Sequence, residues 1–537
     1  MVFIGKRGLF VEIFIIEIII LWDFPMHAKI FSATTIGIDA HLVNVEVDLS
    51  LGLLQFNIVG LPDKAINESK DRVRAAFKNS GFILPQRLIT VNLAPAHLKK
   101  QNVLFDVPIA IAILHAAKLI DISKDFLKET LFLGELSLDG SISPVRGVLS
   151  IAHSALKMGK KRIIIPQENT LEASLIKGLE IVGVKNLVEL VAYLRGEQEI
   201  IPTPSRFDSY KESIKNHFLD FDQVKGQWQA KRALQIAAAG RHNILFIGPP
   251  GSGKTMLAKR FATILPPLSF DEVIETTKIY SVSGLLNGGP LVMHRPFRCP
   301  HHTISQAGLV GGGSNPKPGE ISLSHNGVLF LDELTEFNRA TLEVLRQPIE
   351  SKTVLISRAN SSVEFPAAFL LVAALNPCPC GFFGDKSNKC SCTQNQIKRY
   401  ISKLSGPLLD RIDLHVNVSS VDYDELKEKN IKSQNSKDMY ERVVSAIEKQ
   451  KARQGEILNS NLPADKIEKH CELTPEAEVV IKKAFEVLHL SMRGYHKILK
   501  VARTIADLEN STLIGRVHIQ EAIMYRSLDQ IVYKASS

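Results

Sequence analysis

Three short runs of apolar residues have the length and composition of strands that are buried on both faces. They are continuous rather than alternating, which is typical of parallel sheets covered by helices on both sides. The runs are Ile244–Ile247, Val328–Leu331 and Leu370–Leu375. Each is followed directly by glycine or polar residues, and open α/β sheets bind their ligands at the carboxyl ends of their strands. The pattern predicts an α/β domain with a ligand site beside these segments.

Residues 26–199 combine alternating and continuous apolar patterns. The alternation in Val43–Leu49 predicts a half-buried strand, and Asn67–Lys78 has the spacing of an amphipathic helix. Further predicted elements are a buried helix that opens at Asp106 and strands at Ile89–Leu93, Phe132–Leu138 and Arg162–Pro166. This mixture predicts an α+β or α/β first domain. A linker rich in Pro, Ser and charge follows at residues 200–216.

The last part of the chain has helical spacing. After the α/β domain at residues 217–420, a charged connector is predicted at 421–462, with one helix in Tyr440–Gln450. A helical domain follows at 463–530. Its three amphipathic helices are predicted at Thr474–Glu486, Ser491–Asn510 and Val517–Tyr525.

Composition narrows the class of protein only moderately. The 537 residues are 45% apolar and 23% charged, as in ordinary globular proteins. The formal net charge of +9 permits nucleic-acid binding without establishing it, because the excess is small for so large a surface. Six cysteines in so long a chain exclude a secreted disulfide scaffold, and we expect a cytoplasmic protein.

Residues 8–22 form an apolar segment that resembles a signal peptide or a membrane anchor. Two glutamates interrupt it, it is short for a bilayer span, and no small-residue cleavage site follows. We expect residues 1–25 to be a non-native or mis-assigned extension upstream of a true start at Met26. A membrane anchor is the alternative.

The segment after Ile247 has the spacing of a phosphate-binding loop. Its glycines let successive backbone N–H groups point at phosphate oxygens. Lys254 supplies a positive charge for the β- and γ-phosphates, and the Thr255 hydroxyl is a ligand for Mg²⁺. The sequence therefore predicts an ATP site formed by Gly248, Pro249, Pro250, Gly251, Ser252, Gly253, Lys254 and Thr255.

Polar residues follow the other two apolar runs. Asp332 and Glu333 lie at about the separation from the loop at which nucleotide hydrolases place their acidic pair. We expect Asp332 to hold Mg²⁺ and Glu333 to be the catalytic base. Asn376 fits the sensor that orients the attacking water or contacts the γ-phosphate. A turn-forming Asn before Pro377 is the alternative.

Four cysteines lie within fifteen residues and form the second candidate site. In a reducing compartment, four thiolates favour a tetrahedral Zn²⁺ site over disulfides, although C-x-C pairs chelate less commonly than C-x-x-C pairs. The candidate zinc ligands are Cys378, Cys380, Cys390 and Cys392.

Much of the chain resembles the YifB/ComM family of magnesium-chelatase-like AAA+ ATPases. In the first domain the resemblance rests on NIVGLPDKAINESKDRVRAAFKNSGF, ITVNLAPAHLKKQNVLFDVPIAIAIL and FLGELSLDGSISPVRGVLSIAHSALKMG. The family's amino-terminal domain is similar in fold to the proteolytic domain of Lon, which needs a serine and a lysine. Leu104 and Leu149 lie near those positions. The resemblance implies a non-proteolytic scaffold or interaction domain.

The resemblance continues through the α/β and helical domains. The segment from Phe221 to Gly240 is similar to the one that AAA+ ATPases fold over the adenine, and the helical end is similar to their lid. The motif LLDR implies that Arg411 is an arginine finger for the ATP of a neighbouring subunit. An ion pair within the subunit, with Asp410 or Asp413, is the alternative.

In the lid motif LSMRGYHKILKVARTIADL, the resemblance implies Arg503 as the second sensor of the γ-phosphate, ahead of Arg493. It also implies a ring, which we expect to be a homohexamer. An arginine that acts on the neighbour requires a head-to-tail interface, which closes into a ring or forms a filament.

A further family signature, RPFRCPHH, begins at Arg295. Three open interpretations apply to it. Cys299, His301 and His302 suggest a metal, but three candidate ligands in four residues cannot easily converge on one ion. In the second interpretation, the segment is a mobile insert that brings Arg295 and Arg298 to a polyanion in a central pore. In the third, it is a packed structural loop.

The resemblance implies a motor that couples Mg-ATP hydrolysis to movement on single-stranded or branched DNA. Branch migration during recombination or natural transformation is the expected process, with recombination proteins as further partners and no membrane. A protein-remodelling or regulatory factor that grips a client with its first domain is the alternative. A chelatase motor subunit is disfavoured, because the first domain and the cysteine pairs are unlike a compact chelatase subunit.

Overall fold

The computed structural model describes residues 26–98, 100, 103–205, 219–286, 291–313, 316–358, 361–385, 389–420 and 434–526. The chain forms two units, one of residues 1–212 with 280–290 and one of residues 213–279 with 291–537. The expectations for residues 1–25, and parts of those for the linker and the charged connector, lie outside the described residues.

The first unit contains two main sheets. One has the strand order Met26–Ile36, Asp39–Ser50, Leu88–Ala94, Gln55–Val59, and only its last two strands are parallel. The other consists of the parallel strands Thr130–Phe132, Arg162–Pro166 and Glu180–Val184. The helices are Lys64–Asn67, Ser69–Asn79, Asp106–Ala116, Lys124–Glu129, Val148–Lys157, Thr170–Ala173 and Leu187–Leu194, with a 3-10 turn at Gln167–Asn169.

The prediction of one strand over Phe132–Leu138 is wrong. The chain leaves the parallel sheet after Phe132, and Glu135–Leu136 pairs instead with Ile142–Ser143. Gly134 lies between the strand that ends at Phe132 and the strand Glu135–Leu136. Its N–H donates to the Leu104 carbonyl and its carbonyl accepts from the Val107 N–H, both at 3.1 Å. A Cβ on Gly134 would lie 2.7 Å from the Val107 side chain, so this contact requires glycine.

The resemblance to Lon leads us to expect Leu104 and Leu149 near the positions of that protease's serine and lysine. Their side chains are 1% and 0% exposed in the apolar core. Neither offers a hydroxyl or an amine to a substrate.

The second unit is built on a five-stranded parallel sheet. Its strand order is Phe297–Arg298, Val328–Leu331, Leu370–Leu375, Ile244–Ile247, Leu414–Asn417. The three predicted runs are confirmed as neighbouring central strands, and all three are buried along their whole length. Helices cover the sheet because such strands must be shielded on both faces.

The remaining strands of this unit form two antiparallel pairs, Gly311–Gly312 with Lys317–Pro318 and Thr353–Arg358 with Ser361–Pro366. The helices described between residues 228 and 409 are Trp228–Gly240, Lys254–Phe261, Phe270–Ser283, Gln306–Val310, Glu320–Leu323, Arg339–Glu343, Arg346–Ser351, Gln394–Ile401 and Gly406–Leu409. The 3-10 turns are Phe221–Gln223, Ala262–Ile264, Leu334–Glu336 and Asn459–Asn461.

The carboxyl-terminal helices are Ser436–Gln454, Ala464–His470, Pro475–Val487, Met492–Leu508 and Arg516–Met524. Three of them begin where a side chain caps the first turn, and Asn435 accepts the hydrogen bond of the Asp438 N–H before the first of these helices. Thr474 accepts a hydrogen bond from the Ala477 N–H, and Ser491 accepts one from the Gly494 N–H. Among the described residues, no helix is both long and apolar enough to cross a bilayer.

Candidate nucleotide site

Three strand ends meet at one edge of the parallel sheet. Gly248, Asp332 and Asn376 directly follow three neighbouring strands that run in the same direction. These residues therefore share the carboxyl edge, where open α/β sheets bind ligands. The fold brings together the three segments in which the sequence predicts nucleotide chemistry.

The phosphate loop owes its shape to its glycines. Gly251 and Gly253 have φ angles of +78° and +88°, in the left-handed region that other residues rarely adopt. A Cβ on Gly248 would lie 2.0 Å from the carbonyl oxygen of Val418, so this close approach also requires glycine. The loop enters the helix Lys254–Phe261, whose first N–H groups favour an anion.

The Lys254 ammonium lies between the loop and the strand end at Asn376. It donates to the carbonyl oxygens of Gly248 at 2.7 Å and Pro249 at 2.9 Å, and to Asn376 Oδ1 at 3.2 Å. Burial lowers the pKa of Lys254, and the neighbouring acidic pair opposes this effect. A cation held at this point is suited to phosphate oxygens.

The acidic pair touches the loop on its other side. Thr255 Oγ1 donates to Asp332 Oδ2 at 2.7 Å. A hydroxyl and a carboxylate are oxygen ligands of the kind that Mg²⁺ prefers, so these two residues fit that ion. In the same loop, Ser252 is buried and its carbonyl oxygen accepts a hydrogen bond of 3.2 Å from Gln227, and Pro250 lies next to Gly381.

Glu333 has an unusual backbone for a residue with a side chain. Its φ is +52°, and its N–H donates to Asp332 Oδ1 at 3.0 Å. A left-handed conformation costs such a residue about 1 kcal/mol, and strain of this kind is concentrated at functional sites. The Glu333 side chain is 57% exposed, which leaves its carboxylate accessible to a reactant.

His302 is a neighbour of this carboxylate that the sequence did not predict. Its Nδ1 lies 3.6 Å from Glu333 Oε2, and its ring centroid is 4.1 Å from that of His301. Two adjacent histidines in a loop carry no periodic signal, so only the fold could reveal this contact.

The arginines of the same signature are bound inside the subunit. Arg295 is 9% exposed and pairs with Glu272, and Arg298 makes two hydrogen bonds of 2.6 and 2.7 Å with Glu320. These contacts favour the packed structural loop over an insert that offers both arginines to a polyanion. Among the described residues, the signature's cysteine and histidines do not form a group with metal-ligand geometry.

Arg411 lies at the opposite edge of the sheet. It precedes the strand Leu414–Asn417 and so sits at the amino edge, away from the phosphate loop of its own chain. Its guanidinium donates to the carbonyl oxygens of Arg346 at 3.1 Å and Pro407 at 2.5 Å, and lies 3.0 Å from Glu350 Oε2. The ion pair within the subunit is therefore with Glu350, and not with Asp410 or Asp413.

A cleft of about 350 Å³ opens beside Arg411. Six basic side chains and two acidic ones line it, so it favours an anion. Burial lowers the pKa of one of the six, Arg241, to about 10. The charged lining residues are Arg241, Glu350, Lys352, Arg411, Asp413, Arg493, Lys497 and Lys500.

Arg493 and Arg503, the two candidates for the second sensor, have different surroundings. Arg503 is 1% exposed, pairs with Asp507 at 3.0 Å and donates to the carbonyls of Ser511 and Thr512. These contacts contradict its assignment as the second sensor, because its guanidinium is used inside the lid. Arg493 is 45% exposed, lines the basic cleft and pairs with Glu350, the partner of Arg411.

The two arginines should differ when each is changed to Ala. Arg503→Ala breaks a buried ion pair and should lower the stability of the lid by about 3 kcal/mol. Arg493→Ala should change stability by less than about 1 kcal/mol, because its ion pair is exposed, but should slow hydrolysis. Hydrogen exchange in the helix Met492–Leu508 and ATP turnover measure the two effects. Normal protection with lost turnover in Arg503→Ala would restore that residue as the sensor.

The four-cysteine site (Cys378, Cys380, Cys390, Cys392) lies two residues beyond Asn376. All four sulfur atoms are within 4.8 Å of one another, and none is in a disulfide. The Sγ atom of Cys378 is 3.3 Å from that of Cys380 and 3.8 Å from that of Cys390, and the latter two are 3.6 Å apart. Tetrahedral zinc with bonds of about 2.3 Å places its sulfur ligands about 3.8 Å apart, so the site fits that ion.

Three protein-family descriptions match the chain. "Magnesium chelatase, subunit ChlI" matches residues 220–426, "Subunit ChlI of Mg-chelatase" matches 45–169, and "Magnesium chelatase, subunit ChlI C-terminal" matches 433–526. The first covers the parallel sheet and the candidate nucleotide site. Membership of this family implies the use of ATP and Mg²⁺, in agreement with the donors around Lys254 and Asp332.

Relatives align over almost the whole chain. Competence protein ComM of Haemophilus influenzae is 44% identical over 518 residues, which are 95% of this chain and 99% of that protein. Protein YifB of Escherichia coli is 42% identical over 503 residues, 94% of this chain and 97% of its own. Lon protease 2 of Bacillus subtilis is 27% identical over 157 residues, 27% of either chain. The chain belongs to the ComM/YifB family of magnesium-chelatase-like AAA+ proteins.

Proposed function

We propose that this chain is a cytoplasmic ATPase that assembles as a homohexameric ring and couples Mg-ATP hydrolysis to movement on DNA. The preferred substrate in this proposal is single-stranded or branched DNA, and the process is branch migration in recombination, including natural transformation. The proposal joins a nucleotide site, a ring interface and a DNA substrate, and a different observation supports each of them.

The nucleotide chemistry is supported above all by the contact between Thr255 and Asp332. That hydrogen bond of 2.7 Å joins the phosphate loop to the acidic pair at one edge of the sheet. Bound there, Mg²⁺ would neutralise charge on the β- and γ-phosphates. Glu333 is the proposed base for the attacking water, and Asn376, which contacts Lys254, is proposed to orient that water.

The ring is supported by the position of Arg411. Its edge of the sheet is opposite to its own phosphate loop, so it can serve a nucleotide only on another subunit. The basic cleft that it shares with Arg493 would receive the charge that develops on the transferred phosphoryl group. Such head-to-tail contacts close into a ring if the rotation between subunits allows it.

DNA as the substrate rests on the relatives and on charge. ComM of Haemophilus influenzae is named a competence protein and aligns over nearly its full length. The net charge of +9 agrees with a polyanionic partner. We place recombination proteins among the further partners for the same reason.

ATP turnover in the presence of DNA tests this proposal. We expect a branched or forked substrate to raise the steady-state rate more than duplex DNA does, and the stimulation to weaken as salt rises, because phosphate contacts release counterions. The measurement compares no DNA, single strand, duplex and four-way junction at two salt concentrations. A rate that is indifferent to every DNA would contradict the DNA part and leave the ATPase part standing.

A protein client is the second candidate, and one surface favours it. The first unit exposes several large apolar side chains in one short segment: Leu51, Leu53, Leu54 and Leu61 are 64%, 92%, 45% and 60% exposed. Clustered exposed apolar residues mark interaction sites. In this alternative the unit is a Lon-like, non-proteolytic domain that holds a protein for the motor.

We include a zinc ion at the four-cysteine site in the proposal. The observation that favours it is the convergence of four reduced cysteines within 4.8 Å. Four thiolates are a donor set that structural zinc prefers.

A further inference from the structure

We infer that metal at the four-cysteine site supports the phosphate loop, so that nucleotide binding depends on the occupancy of that site. The inference rests on the proposed ATPase function and on the proposed zinc ion, and it adds a regulatory link between them. It is carried by three contacts of the segment that contains the cysteines.

The first contact joins this segment directly to the phosphate loop. Gly381, between the first and second cysteine pairs, packs so closely on Pro250 that an added Cβ would lie 2.6 Å from Pro250 Cδ. The Gly381 N–H donates to the Cys378 carbonyl at 2.9 Å, which closes a turn at the site. The φ of Gly381 is +86°, so both its backbone and its contact require glycine.

The second contact lies at the amino end of the segment. Asn376 precedes Cys378 by two residues, and its Oδ1 accepts a hydrogen bond from Lys254. Cys378 itself is fully buried. Fixing Cys378 therefore also fixes the direction in which the chain leaves Asn376.

The third contact lies beyond the last cysteine. Thr393 caps the helix Gln394–Ile401, and on that helix Tyr400 accepts a hydrogen bond of 2.5 Å from Thr335. Thr335 is two residues beyond Glu333. The segment from Cys378 to Cys392 thus contacts the phosphate loop directly through Gly381, and it is continuous in sequence with Asn376 on one side and with the helix that contacts Thr335 on the other.

A metal ion has a clear physical task in this arrangement. Of the residues between the cysteine pairs, the structure describes 381–385 and 389, and none of these lies in a helix or strand; Cys378 to Cys392 spans fifteen residues. One ion bound by both pairs closes this loop, and loops closed by metals lose much of the conformational entropy that would otherwise oppose an ordered shape. Without the ion, the loop that carries Gly381 is less ordered, and the contact between Gly381 and Pro250 is weaker.

The direct experiment removes zinc from the full-length protein and measures the affinity for a fluorescent ATP analogue. Metal analysis first establishes zinc per chain, for which we expect about one. A zinc-selective chelator that leaves Mg²⁺ in place should then weaken nucleotide binding by about tenfold or more, which is the loss that corresponds to about 1.4 kcal/mol of phosphate contacts. Added zinc should restore the affinity.

Two glycine variants of the same loop separate the contact from the metal. Gly381→Ala should keep its zinc and still weaken nucleotide binding, because its methyl group would displace Pro250. Gly384→Ala is the matched control, since Gly384 also has a positive φ, of +77°, but an added Cβ meets nothing within 4 Å. It should retain both zinc and nearly normal affinity.

The outcomes distinguish the inference from the proposals beneath it. A zinc content near zero in protein purified without chelator would overturn the zinc site and the inference with it. One zinc per chain with an affinity that does not change on its removal would overturn the inference alone. Equal effects of the two glycine variants would reject Pro250 as the point of contact. An absence of ATP binding even with zinc would refute the proposed ATPase.

Discussion

Glu333→Gln should leave ATP bound while lowering its turnover by about 100-fold or more, since general-base catalysis contributes about 100- to 10,000-fold. Glutamine has the shape of glutamate but cannot accept the proton of the attacking water. The Glu333 side chain is 57% exposed, so its replacement should cost little stability. ATP binding should persist because Lys254 and Thr255 keep their contacts.

Steady-state hydrolysis and equilibrium nucleotide binding, measured on the same preparation, check this result. Glu336→Gln is a matched control, because Glu336 lies in the same segment but forms an ion pair with Lys403. The Lys403 Nζ to Glu336 Oε1 distance is 3.7 Å. The control should hydrolyse ATP at nearly the normal rate. Undiminished hydrolysis in Glu333→Gln would remove this residue as the base.

A mixture of two inactive variants should regain activity if Arg411 acts on a neighbouring subunit. Lys254→Ala subunits lack a functional phosphate site but still present Arg411. Arg411→Ala subunits bind nucleotide but lack the finger, whose loss costs roughly a thousandfold or more in related phosphoryl transfer. In a randomly mixed ring at equal amounts, about one interface in four joins an intact site to an intact finger.

We therefore expect the mixture to hydrolyse ATP at about a quarter of the normal rate per site, if interfaces act independently. Rates measured over a series of mixing ratios should peak near equal amounts. Arg399→Ala, a change on the exposed face of the helix Gln394–Ile401, is the control and should not need complementation. Zero recovery at every ratio would contradict the proposed action of Arg411 on the nucleotide of a neighbouring subunit.

The residues at the carboxyl edge could be predicted because their signals are local. Lys254, Thr255 and Asp332 each follow a buried strand within eight residues, and parallel pairing alone brings such strand ends together. The four cysteines were also visible as a group, because their spacing in sequence is short.

The failures involve contacts between distant parts of the chain. Arg493 and Arg503 lie on one amphipathic helix, and the sequence does not reveal that Asp507 and two carbonyls bind Arg503. The break at Gly134 depends on backbone hydrogen bonds to the segment from Leu104 to Val107. Neither contact leaves a periodic trace, so the pattern of apolar residues could not indicate it.

The sheet itself has a consequence for how a ring of these subunits would work. Asn376 follows one neighbour of the strand Ile244–Ile247 at the carboxyl edge, and Arg411 precedes the other neighbour at the amino edge; a strand of four residues spans about 13 Å. In the proposed ring, we expect the three fully buried central strands to move as one rigid element, so that a shift at one nucleotide is transmitted to the next. Because Asn376 lies at one edge of the sheet and Arg411 at the other, each subunit would contact the nucleotides on its two sides with different residues. We therefore expect ATP hydrolysis to proceed from subunit to subunit round the proposed ring in one direction.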